Sequence, residues 1–109
     1  MKLDRERFGR NKYALIKNRK LDEIAAENNN EMPADIAHAL ALLLEHGVLD
    51  VGDRPETEFF VMRLRDRYSG PALLTYANHA AAGDIEYATE VNKLSKRAGM
   101  AHPNCKNPD

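Results

Sequence analysis

The chain has no tryptophan, a single cysteine and only seven aromatic residues, four Tyr and three Phe, among 109. Each shortage closes off a class of protein. One cysteine, Cys105, cannot form an intramolecular disulfide, which suits a reducing compartment and leads us to expect a cytoplasmic protein. The longest uninterrupted apolar run, Ala39–Leu44, is six residues, far below the roughly 20 that a membrane-spanning helix needs. The opening MKLDRERFGRNKYALIKN is charged throughout and offers no apolar stretch fit for a signal peptide. With so few aromatics, a core would be built from Leu, Ala, Ile and Val, and a chain this small is expected to self-associate to finish burying it.

Motifs that carry chemistry are missing as well. There is no glycine-rich phosphate loop and no nucleophile elbow, and we find no defensible carboxylate pair. His38, His46, His79 and His102 accompany Cys105, but no C-x-x-C or H-E-x-x-H occurs, and a closed zinc site needs four ligands at workable spacing. Asp84 has a structural task as a helix cap. The sequence therefore predicts a binding protein without catalytic residues, cofactor or metal.

What is present is an asymmetry of charge. Met1–Lys20 carries eight basic and two acidic residues, while the rest of the chain carries eight basic and fifteen acidic ones, for a formal net charge of −1 overall. A near-neutral total argues against a protein that coats nucleic acid. A basic arm on an acidic body points instead to a local anionic partner. Arg5, Arg7, Arg10, Lys12, Lys17, Arg19 and Lys20 are the candidate ligand-binding residues there, with Phe8 and Tyr13 placed to stack on a base.

The pattern along the chain predicts an α+β fold, mainly α-helical, with about four helices and one β-hairpin in a small single domain. Residues 1–11 read as a mobile basic arm, 12–99 as the domain and 100–109 as a polar tail. Lys12–Glu27 looks helical, or else a short strand at Tyr13–Ile16 leads into a shorter helix. Asn28-Asn29-Asn30 breaks it. Pro33 opens a second helix, Asp35 favours its positive end, and Gly47 stops it. Phe60, Met62 and Leu64 then alternate with Val61, Arg63 and Arg65, which predicts a hairpin over about 48–66 with arginine on its open face; a helix over Glu58–Tyr68 is the alternative. Pro71 opens a third helix, Asp84 caps a fourth running to about Ala98, and Gly99 ends it.

Arg63 and Arg65, with Arg54 and Arg67, could support an anion held by the arm. Helix then hairpin with arginine on it resembles a winged helix, but Pro33–His46 holds no Lys or Arg to read a DNA groove. Ala77–Ala98 looks like half of a tetratricopeptide unit without a second copy, hence a generic αα-hairpin. The run EFFVMRLRDRY, the YA and EYA segments after it and the tail HPNCKNPD resemble small accessory proteins encoded by bacteriophages. That resemblance covers the half from Glu58 onward and implies a role in manipulating a host cell, without assigning any residue a chemistry.

Two partners follow as expectations. The first is a phosphate-bearing ligand, nucleotide or nucleic acid backbone, held by the basic segment. The second is an acidic patch on a host protein that the chain inhibits or adapts. In a third reading the arm serves assembly, gripping the acidic face of the same or a neighbouring copy.

Overall fold

The computed structural model describes Leu3 and residues 12–108. Four α-helices follow one another: α1 (Asn18–Ala26), α2 (Ala34–Glu45), α3 (Ser69–Ala80) and α4 (Ile85–Ser95), then a short 3-10 turn at Gly99–Ala101. Among the described residues there is no β-strand, so the fold is all-α and the predicted α+β class with a hairpin at 48–66 is wrong. A lone parallel bridge between Asp66 and Lys106 is all the sheet-like pairing present there.

The reason lies in where the backbone donors of that stretch go. The Gly52 N–H donates to Asp50 Oδ1 at 2.9 Å, Thr57 N–H to the Arg54 carbonyl at 3.0 Å, and Arg63 N–H to Asp66 Oδ2 at 3.2 Å. Each is a local turn that satisfies its own segment. An isolated two-stranded hairpin is marginal in water at best, so turns with their own partners prevail over an alternating pattern. The alternation is only half used: Met62 and Leu64 are half-buried, while Phe60 is 89% exposed. The alternative helix over Glu58–Tyr68 is absent as well.

The chain divides into two compact units, Tyr13–Phe60 and one built on Val61–Asp109. In the first, residues 13–17 are irregular, so the first helix is the shorter of the two forms considered, and no strand precedes it. The asparagine break acts as predicted: Asn29 and Asn30 take left-handed backbone (φ 55° and 61°), and Asn28 Nδ2 donates to the Glu31 carbonyl at 3.0 Å. Pro33 sits just ahead of α2, and Gly47 ends it at φ 69° while the Val48 N–H reaches back to the Leu43 carbonyl at 2.9 Å. Neither α1 nor α2 buries a residue.

The second unit is an αα-hairpin of α3 and α4, packed through small side chains. Its buried apolar residues are Ala77, Ala88, Val91 and Ala98, joined by buried Ser69, Ser95 and Gly99. Small side chains let the backbones approach, and dispersion over the close contact compensates for the modest apolar volume. The turn between the helices closes with Asp84 Oδ1 accepting the Tyr87 N–H at 3.1 Å, the predicted cap. Tyr76 and Tyr87 meet edge to face across the hairpin, centroids 6.1 Å apart, their hydroxyls 3.2 Å apart. That hydrogen bond, helped by partial burial, raises the Tyr87 phenol above its ordinary value of 10.0.

Candidate functional site

The tightest packing in the hairpin unit is where the start of α3 meets the end of α4. Ser69 is fully buried, its Oγ 2.8 Å from both the Leu64 and Asp66 carbonyls. The Gly99 N–H donates to the same Leu64 carbonyl at 2.7 Å. Gly99 takes φ 63°, and a Cβ there would stand 2.8 Å from the Gly70 nitrogen and 3.0 Å from the Arg67 carbonyl. On Gly70 a Cβ would fall 2.9 Å from the Ala98 carbonyl. The two glycines thus permit a close backbone crossing that no other residue would allow unstrained. The tail is tied to this crossing, with Arg67 N–H donating to the Lys106 carbonyl at 2.9 Å and Lys106 N–H to the Arg65 carbonyl at 3.0 Å.

An open groove of about 430 Å³ lies beside the crossing. Gly70, Pro71, Leu74, Ala98, Met100 and Ala101 give it an apolar floor, while Arg67, Asn92, Ser95 and Lys96 supply polar groups. Arg67 and Met100 continue into an adjoining recess with Cys105, Lys106 and Asn107. None of the residues lining either hollow is acidic. Asn92 carries a buried Oδ1 without a hydrogen-bond partner, shut off from solvent, a deficit of about 1–3 kcal/mol. Met100 is 77% exposed, an unbranched, polarisable side chain able to adapt to a ligand face.

The residues singled out in the sequence fall elsewhere. Arg5, Arg7 and Arg10 lie outside the described residues. Lys12, Lys17, Arg19 and Lys20 are exposed ahead of and along α1, and Lys20 pairs with Glu23 at 3.5 Å. Arg63 is exposed and Arg65 half-buried, its Nε enclosed without a partner, and neither lines the groove. Arg54 is engaged by Glu56 at 3.6 Å. The structure instead brings together Arg67 and Lys96, 29 positions apart in the chain. A sequence signal for them existed in the small residues Gly70, Ala98 and Gly99, which mark a close crossing of two segments.

No group of three or more His, Cys, Asp or Glu among the described residues is placed to hold a metal ion. His102 Nδ1 accepts the Asn104 N–H at 3.0 Å, a turn contact within the tail. No helix among the described residues is long and apolar enough to cross a membrane. No family model, curated protein or solved structure matches the chain.

Proposed function

We propose that this protein is a non-enzymatic binding protein that holds a phosphate-bearing ligand, a nucleotide in the first instance, in the groove beside the α3–α4 crossing. The observation that carries the reading is the composition of that groove: two cations, an apolar floor and no carboxylate. Its size falls in the range typical of small-molecule sites. Arg67 and Lys96 suit phosphate, the first through a planar fork and the second as a point charge. The floor of Pro71, Leu74 and Met100 suits the flat face of a base.

The test is titration of the protein with adenosine monophosphate at low salt by calorimetry. Binding should weaken with added salt, and Arg67→Ala or Lys96→Ala should each weaken it by about tenfold or more, the worth of one hydrogen bond to a charged group. Unchanged affinity in both variants would refute the assignment. A second reading, a protein-binding adaptor, is favoured by a different observation: the Tyr13–Phe60 unit displays Val48, Val51, Phe59 and Phe60 at 55–89% exposure. Capture of a protein partner that is lost in Phe60→Ser, with no nucleotide bound, would support that reading.

A further inference from the structure

The Tyr13–Phe60 unit contains no buried residue at all, although it is compact and includes two helices. Its α2 gathers the polar residues Asp35, His38 and Glu45 in one arc and is apolar over the rest, with Leu42, Leu43 and Leu44 exposed by 36–51%. An apolar surface that broad on a helix is normally covered. Charge is divided with equal sharpness. Residues 21–53 hold eight carboxylates and not one Lys or Arg, whereas residues 13–20 hold Lys17, Arg19 and Lys20 and no carboxylate. The same short segment presents Leu15 and Ile16, exposed by 52% and 40%.

We infer that a second copy of the chain covers this surface, the Tyr13–Lys20 segment of each copy lying on the acidic, leucine-rich α2 surface of the other. In this reciprocal exchange each copy both gives and receives the same contact, so the pair closes as a two-fold dimer. Leu15 and Ile16 meet the leucines, while Lys17 and Arg19 meet the carboxylates that flank α2, including Glu31 and Glu45. This inference is independent of the groove, which belongs to the other unit.

Sedimentation velocity on the full chain tests it. The expected species has twice the 12.3 kDa mass of one chain and dissociates as salt is raised. The double variant Lys17→Glu/Arg19→Glu should be monomeric, as should Glu31→Lys/Glu45→Lys. Helicity by circular dichroism is read alongside. A carboxylate at the start of α1 and a cation at the end of α2 complement the helix dipole, while the cation that Glu31→Lys places ahead of α2 opposes it, so Glu45→Lys alone serves as the folding control. Mixed in equal amounts, the two variants restore both contacts and should return to a dimer. A wild-type chain that stays monomeric across the micromolar range at low salt overturns the inference. So does a dimer that persists in both variants, or a mixture that fails to reassociate.

Discussion

Replacing Gly99 by alanine is the sharpest probe of how the hairpin unit is built. Two penalties act together. Left-handed backbone costs a residue with a Cβ about 1–2 kcal/mol relative to glycine, and Gly99 sits at φ 63°. The new methyl also meets backbone atoms, Gly70 N at 2.8 Å and the Arg67 carbonyl at 3.0 Å, and these cannot swing aside as a side chain could. Overpacking of that kind costs a further 1–3 kcal/mol or so. The total, about 2–5 kcal/mol, is a large part of what a small domain possesses. Gly83→Ala in the same unit is the matched control, because its nearest neighbour would be the Ala80 carbonyl at 4.0 Å. Its backbone needs no glycine, so the control should be neutral or gain up to about 1 kcal/mol from a stiffer unfolded chain. Thermal unfolding followed at 222 nm should separate the two variants by at least about 8 °C, at roughly 4–8 °C per kcal/mol for a domain of this size. Equal melting temperatures would refute the close crossing, and with it the shape of the groove beside it.

Other perturbations test neighbouring links. Ser69→Ala removes a buried hydroxyl that has one proton to share between two carbonyls. Since the Leu64 carbonyl keeps the Gly99 N–H, the loss should stay near about 1 kcal/mol by denaturant unfolding, whereas Ser69→Val should cost more by crowding the same space. Asp84→Ala should lower the melting temperature and Asp84→Ser should largely restore it, because either Ser or Asp can accept the Tyr87 N–H. The raised Tyr87 phenol favours the protonated form in the folded state. Its stabilisation is therefore intact below the ordinary phenol value of 10.0 and is lost as pH climbs through the higher folded value. Tyr76→Phe should remove most of that alkaline loss, read from unfolding curves between neutral and alkaline pH.

The helices were legible in the sequence because their signals are local. Asn28–Asn30, Gly47 and Asp84 mark ends through backbone geometry and capping, which a short window of residues decides, whereas the fourth helix stops at Ser95, short of the expected Ala98 and Gly99. The hairpin was misread because alternation at Phe60, Met62 and Leu64 describes a surface only if a partner strand exists, and the donors at Gly52, Thr57 and Arg63 had nearer acceptors. The groove was hidden for a different reason. Arg67 and Lys96 look like ordinary surface charges in the chain, and only the Gly70–Gly99 crossing makes them neighbours of one hollow. The bulk charge asymmetry drew attention to the N-terminal cations instead.

The most direct test of the ligand assignment is a ¹H–¹⁵N correlation spectrum of the full chain titrated with adenosine monophosphate. Saturable shifts confined to amides around Arg67–Leu74 and Asn92–Ala101 are expected, and these are lost in Lys96→Ala. Shifts confined to residues 12–20, or none at all, would contradict it.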